Sequence, residues 1–188
     1  MIVLKNSFVK HTLTFVLLFA LFSCSSIRVS KKLKQFPSPF QFTISDSVGG
    51  IDTFIYAKAR VWILKSLVNP KPVIEENKKA GIIVGKCVME VPVGKDDYGN
   101  VVSNEHVHYI FSVEIKNGKY KCMLSGFWHE GMLSARGNND MGSLNSRKPR
   151  KGAPKISRTK YYEVKQLAQE QANSYLKDFR MTMGTRDQ

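Results

Sequence analysis

The sequence predicts an α+β fold, with an antiparallel sheet of about five strands packed against a long helix and an additional helix at the C-terminus. Three observations carry this. Ile51, Phe54, Ile55, Ala59, Trp62 and Ile63 recur at helical spacing within residues 51–68. Asn117-Gly118 stands between two alternating runs, the pattern of a two-residue type I′ hairpin. Tyr161, Val164, Ala168, Ala172, Tyr175 and Phe179 mark a second amphipathic helix over 161–183, with Leu167 and Leu176 widening its apolar stripe.

The 188 residues suffice for one domain with appendages, and 43% hydrophobic with 23% charged content excludes both a disordered chain and a multi-span membrane protein. Lys and Arg number 29 against 15 Asp and Glu, a formal charge of +14 that favours anionic neighbours. Three cysteines are too few for a disulfide framework.

Lys5 and Lys10 precede an apolar run from Leu13 to Phe22 that is shorter than a spanning helix and has the length of a signal-peptide core. It ends in Leu21-Phe22-Ser23-Cys24, which resembles the bacterial lipobox, with Cys24 as the lipidated residue. The competing reading is an ordinary secretory signal or short anchor with an incidental cysteine. Cleavage before Cys24 removes two lysines and no acid, so the charge falls from +14 to +12. Acyl chains on Cys24 would anchor the chain through buried methylenes, and Arg28, Lys31, Lys32 and Lys34 would meet anionic headgroups. Ser25-Ser26 carries no acid, so placement on the outer membrane facing the periplasm is the expectation the resemblance gives.

Residues 24–39 read as the lipidated tether, ending in Pro37-Ser38-Pro39, and 40–130 as the folded domain. Phe40 to Ile44 alternates as a first strand, Gly49-Gly50 breaks it, and Asp52 sits in the first turn of the long helix, where the helix dipole favours an acid. Asn69-Pro70 ends that helix. Strands follow at roughly 72–77, 82–93, 105–116 and 119–129. The hairpin pairs Val113 with Cys122, Phe111 with Leu124 and Glu114 with Lys121. Its apolar face then holds Val107, Tyr109, Phe111, Val113 and Ile115 with Tyr120, Cys122, Leu124 and Trp128. Residues 131–160 are polar, and 147–160 hold seven cations and no acid, the composition of a flexible basic loop.

Ile55-Tyr56-Ala57-Lys58-Ala59-Arg60-Val61-Trp62, Ala80-Gly81-Ile82-Ile83-Val84-Gly85-Lys86-Cys87, and Val107-His108-Tyr109 through Lys116-Asn117-Gly118-Lys119-Tyr120 resemble a family of bacterial lipoproteins and secreted proteins. This family, domain of unknown function 4468, has a fold like that of the TATA-binding protein. The resemblance covers about residues 40–130 and implies a fold. It transfers no activity, and a fold alone does not license DNA binding.

Extending the hairpin register places His106 across from His129, with His108 beside them and Glu105 and Glu130 at the margins. Three such histidines could hold zinc with an open position for water, the arrangement of a metal-dependent hydrolase. The plainer reading is that half-exposed strand histidines fall there by chance and that no cofactor is bound. Cys87 and Cys122 share the apolar parity with one strand between them, so free buried thiols are expected, a disulfide requiring a different strand order. Arg147, Lys148, Arg150, Lys151, Lys155, Arg158 and Lys160 suit anionic lipid, lipopolysaccharide phosphate or an acidic partner, or they simply keep a loop solvated. Nucleic acid is disfavoured because an exported chain meets little of it. A strip of Ile110, Met123 and Phe127 on the hairpin's polar face either faces an envelope protein or glycan or lies beneath the C-terminal helix. The reading overall is a membrane-anchored envelope lipoprotein with a small non-enzymatic binding or structural domain, the hydrolase being the alternative.

Overall fold

A computed structural model describes residues 36–67, 73–95, 101–131, 133–134, 137–138, 140–150 and 157–184. Residues 36–188 form one compact unit, and among the described residues every buried core side chain lies between Phe40 and Met183. The strands are β1 (Phe42–Ser47), β2 (Val73–Asn77), β3 (Ile82–Lys95), β4 (Val101–Lys116) and β5 (Lys119–Glu130), with two-residue strands β6 (Leu133–Ser134), β7 (Gly137–Asn138) and β8 (Gly142–Ser143). The helices are α1 (Asp52–Ser66) and α2 (Arg158–Gly184). The main sheet runs β1-β5-β4-β3-β2, antiparallel throughout, and β8 pairs with β5 beyond the start of β1.

The Asn117-Gly118 turn has both residues at positive φ, 55° and 69°, which matches the twist of a two-residue hairpin. It pairs Val113 with Cys122 and Phe111 with Leu124 as the alternation requires. Asp52 ties α1 to this tip: its carboxylate oxygens accept from the Asn117 and Gly118 backbone N–H groups at 3.0 and 2.7 Å. The helix therefore starts against the hairpin, where an acid also complements its exposed N–H groups.

Both helices cover the same face of the sheet. Phe179 of α2 meets Trp62 of α1 edge-on at 4.9 Å and Tyr120 of β5 at 5.3 Å, while Tyr175 stacks over Tyr109 of β4. The Trp62 indole N–H donates to Asp178 at 2.6 Å, which satisfies its one polar atom at the helix junction. The buried face of α1 is Ile55, Tyr56, Ala59, Trp62 and Ile63, whereas Ile51 and Phe54, expected inside, are 74% and 54% exposed. The helix is apolar on two sides, so spacing did not choose between them. Tyr56 wins because its ring packs inward while its hydroxyl reaches Glu76 at 3.1 Å.

The largest departure from expectation is at Gly126. The hairpin register holds from the tip to Ile110 opposite Ser125, then shifts so that His108 faces Trp128. Gly126 and Phe127 together oppose Tyr109, and Gly126 has φ +64°, the left-handed first residue of a glycine bulge. The extra residue reverses the parity of β5. Phe127 and His129 turn into the core, and Trp128 turns out, 41% exposed. This corrects the assignment of Trp128 to the packed face and of Phe127 to the polar strip.

Residues 140–150 are also a correction, since they do not form a free loop. Met141 and Leu144 are buried, Leu144 N–H donates to Phe127 O at 3.0 Å, and Phe40 N–H donates to the Asn145 side chain at 2.7 Å. This segment is a strap across the β5 edge, held mainly through backbone groups. Among the described residues no helix is long and apolar enough to cross a membrane.

Candidate functional site

The bulge decides the fate of the three histidines. His106 and His108 point to the open face of the sheet, whereas His129 is fully buried on the helical side. A three-histidine centre is therefore not assembled from His106, His108 and His129, and no other group of three metal-ligating residues stands together among the described residues. Extending the hairpin register past Gly126 without the extra residue is what produced the earlier convergence. On the open face His108 hydrogen-bonds Glu130, and His106 lies 3.7 Å from Glu90.

His129 instead belongs to a buried polar chain. Its Nδ1 accepts the Met141 backbone N–H at 3.2 Å, and its Nε2 lies 3.0 Å from Glu105. An accepting Nδ1 fixes the neutral tautomer with the proton on Nε2, which then donates to the Glu105 carboxylate. Burial lowers the His129 pKa below 6.5, only partly offset by Glu105. Burial alone would raise Glu105, but the hydrogen bonds from Lys160 and His129 outweigh it and hold the carboxyl below 4.5. Lys160 bonds to the other Glu105 oxygen, and Ser103 Oγ is 3.4 Å from it. Both ring nitrogens are thus committed, so His129 has no lone pair for a substrate proton. The chain fastens β4, β5, the strap and the start of α2 to one another.

Glu105 and Lys160 carry this structure, and Glu105 was readable: it shares the parity of Val107 and Tyr109, and an acid on an apolar face requires buried partners. Lys160 is consequently not one of the cations open to an anion. Arg150 lies 3.5 Å from Asp140 while remaining 65% exposed. Arg147, Lys148 and Arg158 are exposed, and Lys151 and Lys155 lie outside the described residues.

The basic strap and the start of the fold meet on α2. Phe36 stacks on Tyr162 with centroids 5.9 Å apart, and the Tyr162 hydroxyl donates to Arg147 O at 2.9 Å. Lys165, itself buried, sits 5.0 Å from the Phe36 ring centroid and 4.8 Å from that of Phe40, and its ammonium donates to Ser146 O at 3.3 Å. Burial lowers its pKa. Tyr161 completes the knot by donating to Ser146 O at 2.8 Å. Cys24 and the tether preceding Phe36 are outside the described residues.

Cys87 and Cys122 are free and buried, on strands separated by β4. Burial pushes their thiols up to about 11 and about 12, so neither is a nucleophile at neutral pH. A cleft of about 300 Å³ opens where α1 meets the end of α2, lined in part by Phe54, Lys58, Tyr120, Arg180 and Met183.

Comparisons with known proteins agree with this architecture. Residues 49–130 match the domain of unknown function (DUF4468) with TBP-like fold. A crystal structure of a TBP-like protein from Parabacteroides distasonis ATCC 8503 superposes with a TM-score of 0.62 at 9% identity, over 83% of this chain and all of that one. A DUF4468 family protein from Bacteroides ovatus ATCC 8483 gives a TM-score of 0.56 at 17% identity, over 78% of this chain and 87% of that one. At these identities the likeness is one of fold. No curated protein matches the chain.

Proposed function

We propose that this chain, with its DUF4468 TBP-like domain at residues 49–130, is a lipoprotein of the bacterial cell envelope, with Cys24 lipidated and the domain acting as a non-enzymatic binding or structural module. One observation supports this reading above the others. The described residues begin at Phe36, and Phe36 is stacked on the tyrosine whose hydroxyl donates to the Arg147 carbonyl. A tether from Cys24 would therefore deliver Arg147, Lys148 and Arg158 close to whatever membrane carries the acyl chains, where each cation near an anionic surface contributes about 1 kcal/mol. The proposed location is the outer membrane, facing the periplasm. The open sheet face, with Trp128, Ile110, His106 and His108, remains available to an envelope protein or glycan.

Two measurements test the proposal. Intact mass of the membrane-extracted protein should show acyl chains on a chain beginning at Cys24, and Cys24→Ser should move the protein out of the membrane fraction. Separately, Arg147→Glu/Lys148→Glu/Arg158→Glu in residues 36–188 should weaken sedimentation with phosphatidylglycerol vesicles, more so at low salt. An unlipidated Cys24, or unchanged association, would remove the corresponding half of the proposal.

A further inference from the structure

α1 is apolar on the side turned away from the sheet as well as on the side facing it. Phe54, Val61 and Leu64 are each about half exposed, at 54%, 49% and 50%, and Ala57 lies between them in the same helical row. Ile51, just before the helix, is 74% exposed and Met181 near the end of α2 is 62% exposed. Soluble domains scatter such side chains singly, and a continuous row on one short helix marks a contact surface.

Cations flank this row. Lys65 and Lys177 are exposed, and Lys58 and Arg180 stand over the cleft beside Phe54 and Met183. Asp178 accepts the Trp62 indole, Glu76 holds Arg60 at 2.9 Å, and Asp46 lies 3.9 Å from Arg180, so the positive charge turned outward beside the row is that of Lys65 and Lys177. A helix with exposed aromatic and aliphatic side chains flanked by lysines is the composition that lies in a headgroup layer. The start of the fold is on the same side, because Phe36 rests against Tyr162 and Lys165 of α2 and not on the open sheet face.

We infer that the outward row of α1, Phe54, Val61 and Leu64 with Lys65 beside it, docks on an anionic lipid surface. The inference rests on the reading of Cys24 as the anchored residue. Size decides between a membrane and a second copy of the chain. One row on a helix of 15 residues offers a few hundred Å², short of the roughly 800 Å² per partner that a stable dimer needs. A tethered domain needs no such area, since the tether holds the weak patch at high effective concentration. The 11 residues from Ser25 to Gln35 could extend about 35–40 Å, enough for the helical side to lie flat.

The test uses residues 36–188, which contain the whole described core and lack Cys24, so it reads the docking row apart from the anchor. Sedimentation with vesicles of phosphatidylglycerol mixed with phosphatidylcholine should lose about ten-fold or more in partition for Phe54→Ser/Val61→Ser/Leu64→Ser, at unchanged melting temperature. Lys65→Glu/Lys177→Glu, which leaves the row apolar, should reduce partition into these vesicles while leaving that into pure phosphatidylcholine unchanged. Unchanged partition for the serine variant would overturn the inference. So would a dimer in analytical ultracentrifugation that this variant dissolves, which would make a second copy the occupant. Failure of lipidation at Cys24 would appear in the mass of the full chain and not in this assay.

Discussion

His129→Leu tests the buried polar chain directly. The substitution leaves a side chain of similar bulk but removes both ring nitrogens. The Met141 N–H then has no acceptor in a buried position, a loss of about 1–3 kcal/mol, and Glu105 loses a charge-assisted bond of about 1.5–3 kcal/mol. Some of this returns as apolar burial, so the expected destabilisation is about 3 kcal/mol. With a urea slope near 2 kcal/mol/M, the midpoint should fall by about 1.5 M in far-UV circular dichroism of residues 36–188. The pH dependence is the sharper readout. Because burial holds the folded His129 below 6.5, the unfolded chain takes up the proton first as pH falls, and acid favours unfolding from about pH 6.5 downward. One such group contributes at most about 1.4 kcal/mol per pH unit, and that contribution should be missing from the variant. Loss below pH 4.5 also belongs to Glu105, whose carboxyl is held down in the fold. If the variant and the parent lose stability in parallel between pH 6.5 and 5.5, His129 is not the neutral, doubly bonded group described above.

Other expectations follow from the same geometry. Asp52→Ala should lower stability by about 2 kcal/mol by freeing the Asn117 and Gly118 N–H groups, and an unchanged thermal melt would mean that the helix start does not hold the hairpin tip. Gly81→Ala should cost more than about 3 kcal/mol, since φ is +68° and the new Cβ would lie 2.2 Å from the Ile115 carbonyl oxygen. Gly126→Ala should cost only about 1–2 kcal/mol, because its Cβ would meet the movable end of Ile110 at 3.3 Å; chemical denaturation should rank the two in this order. Cys87 and Cys122 should resist a thiol reagent in the native domain at pH 8 and react in urea, and rapid native labelling would contradict their burial.

The sheet was legible wherever a local rule governs it. Asn-Gly fixes the tip, and alternation then places eight strand residues of the inner face, from Val107 to Ile115 and Tyr120 to Leu124, with Cys87 and Cys122 correctly kept apart. Legibility stops at Gly126, because one added backbone unit inverts all that follows and only the glycine itself signals it. The strap was unreadable for another reason. Its attachments are main-chain groups, to Phe127 O and His129 Nδ1, and an asparagine side chain to Phe40 N–H, so composition shows polarity where the fold has order. Helix α1 was found with Ile55, Ala59, Trp62 and Ile63 inside, but Ile51 and Phe54 were wrongly included with them, since a helix with a second surface to cover gives no single apolar direction.

The parity change in β5 gives the domain two indoles with separate surroundings. Trp62, bonded to Asp178 between the helices, should emit at short wavelength and resist acrylamide, while Trp128 on the open sheet should emit towards the red and quench readily. Trp128→Phe leaves an optical gauge of helix separation, and Trp62→Phe leaves one of occupancy on the exposed strands. A partner that covers the sheet would shift one signal and leave the other still, so the site of contact could be read in a cuvette without attaching a dye.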